Sequence, residues 1–278
     1  MCRLYGFHSN EPTKVECTLV RAQNALLVQS RQDRRGRSHG DGWGIAVYED
    51  SFPEIERRDT AAWQDLHFSV TAERVFARTV VAHVRDATVG GATLLNTHPF
   101  HHGRWVFAHN GTVRGFDRVA VEMAEETDPD LLSERLGSTD SELSFLWLLS
   151  RLRAAGIELE SQQIEIEAIV GAFSESVREL ARRSQAERTG RQERLNFLLT
   201  DGRWLLVSRW HNDLYWVARH GIHDCEICGI PHIRHEVGTG YRAVVVASEP
   251  ISHEEWSEVP EGSILVVDPD VGARVWAI

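Results

Sequence analysis

The sequence has no apolar run approaching the roughly 18 residues that a membrane-spanning helix requires, and it does not start like a secretory signal, so a cytoplasmic protein with no membrane partner is expected. Positive charge is in the minority. With 30 Lys and Arg against 41 Asp and Glu, the formal net charge is -11, which excludes nucleic acid or an anionic bilayer as the natural partner. The basic stretch RQDRRGR, residues 31–37, reads as a solvated loop. Cysteine is scarce, with four in 278 residues, too few and too dispersed for a secreted disulfide framework. Neither G-x-G-x-x-G after a strand nor G-x-x-x-x-G-K-[ST] occurs, so a nucleotide site has no basis. No repeat and no Pro/Gly/Ser-rich linker divides the chain, and one domain over residues 2–278 is expected.

What is present is an ordinary globular composition, 42% hydrophobic and 26% charged, arranged as strands, then helices, then strands. CRLYGFHS reads as a short strand ended near Pro12, and residues 18–29 as a helix with Leu19, Ala22 and Leu26 on one face. SHGDGWGIAVYED reads as a glycine-rich turn entering a strand, and RVFARTVVAHVR and RWVFAHNG as further strands. STDSELSFLWLLSRLRAAG carries capping candidates at Ser138, Thr139 and Asp140 and a stop at Gly156. A second helix is expected over residues 161–185, burying Ile166, Ile169, Phe173, Val177 and Leu180. Asp201-Gly202 inside LNFLLTDGRWLLVSRW marks a hairpin, and YRAVVVAS and SILVVD are strands. Closely spaced strands joined by hairpins indicate α+β with antiparallel sheets packed face to face.

The chemistry begins at the second residue. Removal of Met1 would leave Cys2 with a thiol and a free α-amine, a nucleophile and a base on one residue. A stray small hydrophobe is the plainer reading of such a cysteine. Arg85, at the end of AHVR, offers a guanidinium that forks onto a carboxylate, or a surface ion pair. Asn110 and Gly111, placed by HNG just past a strand, offer an amide and an unobstructed backbone N–H to an oxyanion, or a hairpin turn. Asp140 offers a carboxylate to a cationic amine, or an N-cap.

Taken in order, the N-terminal Cys, DGWGIAVY, AHVRDAT, NTHPF, HNG and TDSE resemble the glutaminase domain of class II glutamine amidotransferases, which are N-terminal nucleophile hydrolases. The resemblance implies a four-layer αββα sandwich. It implies Cys2 as nucleophile with its own α-amine as base and an oxyanion hole from Asn110 and Gly111. Arg85 and Thr88 would lie at the α-carboxylate of a glutamine or γ-glutamyl substrate and Asp140 at its α-ammonium. No cofactor is implied. Asp86 stands where many members carry an aromatic residue, and no sugar-isomerase, phosphoribosyltransferase or synthetase module follows. Three functions follow from the resemblance: a glutaminase delivering ammonia to a separate synthase, a hydrolase of a γ-glutamyl conjugate as in thiohistidine biosynthesis, or a non-catalytic regulatory or metal-binding protein on the same fold. Retention of Cys2, Arg85, Asn110 and Asp140 together favours an enzyme.

The stretch HGIHDCEICGIPHIRHEV lies outside that motif set. Cys225 and Cys228 with His232 and His235, or with His220 and His223, have the residue types of a tetrahedral zinc site. The spacing is nonstandard, and a polar excursion between two strands carrying reduced thiols, with no metal, is the expectation.

Overall fold

The computed structural model describes residues 2–49, 51–161, 163–185, 192–221, 224–233 and 240–278. Its strands are β1 (Arg3–Lys14), β2 (Trp43–Tyr48), β3 (Pro53–Arg58), β4 (Phe76–Val84), β5 (Phe100–His102), β6 (Trp105–Thr112), β7 (Arg194–Thr200), β8 (Leu205–Arg209), β9 (Tyr215–His220), β10 (Arg242–Ala247), β11 (Ser257–Glu258), β12 (Ser263–Val267) and β13 (Ala273–Ala277). Its α-helices are α1 (Leu26–Arg31), α2 (Leu66–Arg74), α3 (Phe116–Glu126), α4 (Pro129–Leu132), α5 (Asp140–Ala154) and α6 (Ile166–Gln185). One sheet runs β11-β9-β10-β1-β4-β2-β3 and the other β13-β12-β8-β7-β6-β5, with antiparallel pairing throughout. No described helix is long and apolar enough to cross a membrane.

Period-two alternation explains the layers. On β1, Leu4 faces the second sheet while Tyr5 and Phe7 face outward. On β10, Val244 and Val246 face in, and Ala243 and Val245 face out. On β6 and β7, Val106, Ala108 and Leu198 face in, and Phe107, Phe197 and Leu199 face out. Each of these strands therefore buries both faces, one against the opposite sheet and one against the outer core. Leu26 of α1 with Phe68 and Ala72 of α2 cover the first sheet; α3, α5 and α6 cover the second. The result is the expected αββα sandwich. Thr139 caps α5 by accepting the Glu142 N–H at 3.1 Å, and α5 is buried along almost its whole length, which matches its almost unbroken apolar sequence.

Local differences from the sequence reading have identifiable causes. β1 continues through Pro12 because the pairing with β4 shifts register between His8 and Thr13, and a bulge tolerates the missing N–H. Residues 18–29 do not form one helix. Cys17–Arg21 is a single π-helical turn, and α1 begins only at Leu26. Between them Asn24 donates to the Pro250 carbonyl (2.7 Å) and accepts from Gln29 Nε2 through its own carbonyl (2.8 Å), bonds that compete with helix continuation. Leu19, Ala22 and Leu26 still share the outer core. The later helix starts at Ile166, and Asp201-Gly202 opens a four-residue connection in which the Asp201 carboxylate accepts the Arg203 and Trp204 N–H groups.

Several histidines are buried as neutral rings. Burial pulls His8 and His39 down to about 4 and His83 to about 3, and lowers His98 and His109 as well. A ring whose folded-state pKa is depressed binds protons more readily when unfolded, so its contribution is complete above the ordinary value near 6.5 and is lost as pH falls towards 4. Each such ring adds a slope of up to about 1.4 kcal/mol per pH unit inside that window. Thermal melts should therefore show Tm falling steeply from pH 7 to pH 4.5. A Tm that stays level across that range would show that the rings are solvated.

Candidate active site

The site is assembled at the end of the sandwich where β1 begins. Cys2 is 6% exposed, and its sulfur is paired with the backbone of Asp86: the Asp86 N–H donates to Sγ at 3.4 Å and the thiol donates to the Asp86 carbonyl at 3.6 Å. Burial pushes the Cys2 thiol up, and the hydrogen bond from Asp86 only partly opposes it. The thiol is accordingly neutral at rest and needs a base to become a nucleophile.

Arg3 fixes the position of Cys2. Its Nη1 donates to the Cys2 carbonyl at 2.9 Å, and its Nη2 is paired with the carboxylates of Asp33 and, at 2.9 Å, Glu249. All three side chains are buried. Asp33 also accepts the N–H groups of Arg35 and Arg37, both at 2.8 Å, and contacts His39 at 3.2 Å. Burial alone would raise Asp33; the Arg37 N–H and the Arg3 and Arg37 guanidiniums outweigh it and hold the carboxyl at about 2.

Arg85 follows β4, with its backbone locked to Asp41 and Gly42 by bonds of 3.0 and 2.8 Å. Its guanidinium is 2% exposed as a residue and donates to the carbonyls of Val89 (2.9 Å), Gly90 (3.3 Å) and Gly91 (2.8 Å). Nε–H and the second Nη1 proton form no hydrogen bond among the described residues and are the donors left for a ligand. Asp41 accepts the Ala87 N–H at 2.7 Å. Asn96, from the NTHPF stretch, ties the far side of the same loop to the turn before α5 through Gly91 (3.0 Å) and Ser138 (2.8 Å).

Asn110 and Gly111 correct one expectation: they lie inside β6, paired with Asn196 and Leu195 of β7, rather than just past the strand. Glycine is required at 111 because a Cβ there would meet the Arg194 carbonyl oxygen at 1.8 Å. The Asn110 carbonyl accepts from Asn212 at 3.2 Å. Its side-chain Nδ2 donates to Ser248 Oγ at 2.8 Å, while the buried Oδ1 has no hydrogen-bond partner among the described residues. Ser248 Oγ also accepts the Leu4 N–H at 3.0 Å. Asn110 thus bridges from the second sheet to the start of β1 in the first.

Thr112 completes the connection. Its hydroxyl meets that of the exposed Thr88 at 2.9 Å, and the next residue, Val113, donates its N–H to Asp140 Oδ2 at 2.8 Å. Asp140 is the first residue of α5, where a carboxylate complements the helix dipole. It is buried and accepts from Ser141 at 3.2 Å. Cys2, Arg85, Thr88, Asn110, Gly111 and Asp140 are therefore linked through neighbouring backbone or hydrogen-bonded partners at one end of the sandwich.

Of the residues that hold this arrangement, Asp33, Asp41, Thr112, Ser248 and Glu249 were not singled out from sequence. Asp41 sits within the glycine-rich DGWG and Ser248-Glu249 ends the apolar YRAVVVAS run, so a polar residue at a strand terminus was the available signal in both cases.

Comparison with known proteins agrees with this architecture. Residues 1–276 match the family of class II glutamine amidotransferases. The yeast protein named "Probable glutamine amidotransferase DUG3" from Saccharomyces cerevisiae is 28% identical over 96% of this chain and 82% of its own length. The gamma-glutamyl-hercynylcysteine sulfoxide hydrolase of Mycobacterium tuberculosis is 25% identical over 96% and 93%. Among solved structures, a glutamine aminotransferase class-II domain protein from Silicibacter pomeroyi superposes with a TM-score of 0.65 at 23% identity over 99% of both chains. The glutamine phosphoribosylpyrophosphate amidotransferase of Bacillus subtilis gives 0.62 at 16% identity, covering 99% of this chain and 49% of that one, a likeness of fold. With the family matched along nearly its whole length and the αββα sandwich in place, this chain belongs to the class II glutamine amidotransferases.

Proposed function

We propose that the chain is an amidohydrolase that cleaves the γ-amide of glutamine through a γ-glutamyl thioester on Cys2, releasing glutamate and supplying ammonia to a separate acceptor enzyme. The observation that carries this reading is the convergence of a buried N-terminal-type cysteine, a buried arginine and a buried aspartate at one end of the sandwich. A zwitterionic amino-acid head needs one cation and one anion, and an amide carbonyl needs a nucleophile with an oxyanion site.

In this mechanism Met1 is removed and the exposed α-amine of Cys2 accepts the thiol proton. The thiolate attacks the δ-carbon of glutamine; the oxyanion that forms is met by Asn110 Nδ2 and the Gly111 N–H. Collapse expels the amide nitrogen as ammonia, which takes the proton that the Cys2 α-amine had accepted from the thiol. Water then attacks the thioester, the amine again acting as base, and glutamate leaves with the thiol restored. Arg85 binds the substrate α-carboxylate through donors the loop leaves unused, with Thr88 beside that carboxylate, and Asp140 binds the substrate α-ammonium. The elevated pKa of the buried Cys2 thiol supports the need for that adjacent base.

Asn110 supports a specific role for Ser248. With Nδ2 directed at Ser248 Oγ, that hydroxyl accepts twice and Asn110 Oδ1 is left without a partner among the described residues. Turning the amide by half a rotation lets Ser248 accept from Leu4 and donate to Oδ1, which satisfies each atom and frees Nδ2 for the oxyanion.

A second reading, hydrolysis of a γ-glutamyl conjugate, is favoured by one observation: the mycobacterial sulfoxide hydrolase matches this chain over 96% of its length. The two differ only in the leaving group.

Purified protein assayed alone for released glutamate should turn over glutamine slowly and lack Met1 by intact mass. A γ-glutamyl thioether or amide conjugate cleaved with kcat/KM at least about tenfold higher, a difference of about 1.4 kcal/mol in transition-state binding, would replace the ammonia-supplying reading with the conjugate hydrolase. Full activity with Met1 retained would contradict the mechanism itself.

Asn110→Ala should lower kcat by roughly 10² or more with little change in KM, as expected for a donor used only in the transition state. Ser248→Ala should lower kcat by a smaller factor, roughly tenfold, the worth of one orienting hydrogen bond. An unchanged kcat in Asn110→Ala would remove that residue from the mechanism.

A further inference from the structure

At the far end of β1 from Cys2, three thiols and an imidazole converge. Cys17 opens the π-helical turn Cys17–Arg21; Cys225, Cys228 and His232 come from the excursion between β9 and β10. One donor atom from each lies within 4.8 Å of every other, and Cys228 Sγ is 3.1 Å from His232 Nε2. A tetrahedral zinc ion, with bonds of about 2.3 Å to sulfur and about 2.0–2.1 Å to nitrogen, sets its donors roughly 3.3–3.8 Å apart. The four side chains are thus already gathered to near coordination distance, across more than 200 residues of sequence.

Hydrophobic burial does not account for this gathering. From Asp224 to Ile233 no residue is buried, and Ile227 and Ile230 are exposed. Yet the loop holds a defined shape against the one buried member, Cys17. The Gly229 N–H donates to the Cys225 carbonyl at 2.7 Å and the Cys225 N–H to the Ile230 carbonyl at 3.1 Å. The Ile227 N–H points at the Cys225 sulfur at 3.4 Å, the kind of outer contact that stabilises a thiolate ligand. Gly229, directly after Cys228, has φ +73° with open space around it, so the chain turns back at once and delivers His232 four residues later. There the Lys14 N–H donates to the His232 carbonyl at 2.8 Å, and Thr13 bridges to Ile233, which fixes His232 beside the end of β1, three residues from Cys17.

We propose that Cys17, Cys225, Cys228 and His232 bind a zinc ion in a closed structural site. Four protein donors leave no open position for substrate or water, which separates a structural zinc from a catalytic one. The twelve residues of β1 put roughly 40 Å of strand, at about 3.3 Å per residue, between this cluster and Cys2. The ion substitutes for the missing core of the excursion and pins it to the end of β1 and the Cys17 turn, as metals do in segments too small to bury apolar surface. A cavity of about 390 Å³ bordered by Cys17, Cys225 and His232 gives it a route in. His232 was among the sequence candidates and Cys17 was not, because Cys17 and Cys225 are 208 positions apart. Of the other histidines considered, His223 and His235 lie outside the described residues, and His220 ends β9 without belonging to the cluster.

The test uses the full chain, purified with a thiol reductant from zinc-supplemented medium. Elemental analysis should give one zinc per chain. Cobalt(II) added to the chelator-stripped protein should produce thiolate-to-cobalt charge-transfer absorption and the intense visible bands of a tetrahedral ion. Cys17→Ser and Cys228→Ser should each weaken cobalt binding at least tenfold, while Cys2→Ala binds it as the parent does. If Cys17→Ser does not fold, the exposed Cys228→Ser and the half-buried His232→Ala carry the same comparison. Zinc removal should lower Tm, and zinc should restore it. A reduced, folded protein that gives no tetrahedral cobalt spectrum would overturn the proposal, as would binding unchanged in a Cys228→Ser/His232→Ala double variant or a Tm indifferent to zinc removal.

Discussion

Arg3 is a buried cation whose guanidinium grips the carbonyl of Cys2 and two buried carboxylates at once. Removing one partner from such a cluster leaves an uncompensated charge in a dry interior, a defect worth about 3–5 kcal/mol, so the three elements that supply the partners are held as a unit. Those elements are the segment after α1, through Asp33, the segment after β10, through Glu249, and the start of β1 itself. Because Glu249 follows Ser248, and Ser248 meets both Leu4 and Asn110, the same cluster sets the spacing between the cysteine on one sheet and the amide on the other. Cys2 is thereby held through its carbonyl by Arg3 and through its sulfur by the backbone of Asp86.

The sandwich makes this useful by burying both faces of each central strand, which leaves strand ends as the places where polar side chains can gather. β1, β4 and β6 all present such residues at or near their ends: Cys2 precedes the first, Arg85 follows the second, and Asn110 and Gly111 lie just before the last residue of the third. The loop after Arg85 is held by Arg85 itself, by Asp41 and by Asn96. At the opposite end of β1 the same strand serves a different need, anchoring an excursion that has no core of its own.

Much of the fold was legible because burial on two faces leaves a strong pattern. β2, β4, β6, β10 and β12 are apolar runs bounded by glycine or polar residues, and α5 is an apolar run with a capping threonine. What the pattern could not convey was local hydrogen bonding. The break at Ala22 depends on Asn24 reaching Pro250, more than two hundred residues away, and the continuation of β1 past Pro12 depends on a register shift in its neighbour. The site shows the same division. Cys2, Arg85, Asn110 and Asp140 stand in recognisable motifs, whereas Asp33 reaches the site only through Arg3, thirty residues away, and Ser248 through Leu4 and Asn110, both distant in sequence. Asn110 and Gly111 were expected just past a strand; pairing with β7 kept them within it, and the carbonyl of Arg194 explains the glycine. Cys17 carried no signal, since nothing near it in sequence completes a ligand set.

The central claim is that Cys2, freed of Met1, is the nucleophile for a γ-glutamyl group. The most direct measurement is mass spectrometry of the whole protein and its peptides after incubation with a diazo-ketone analogue of glutamine, which alkylates a thiol with loss of dinitrogen. The account predicts a single adduct on Cys2 in chains lacking Met1, blocked by excess glutamine or γ-glutamyl conjugate and absent in Cys2→Ala, with Cys17, Cys225 and Cys228 unmodified. An adduct formed at the same rate in Cys2→Ala, or on Cys2 irrespective of competing substrate, would contradict it.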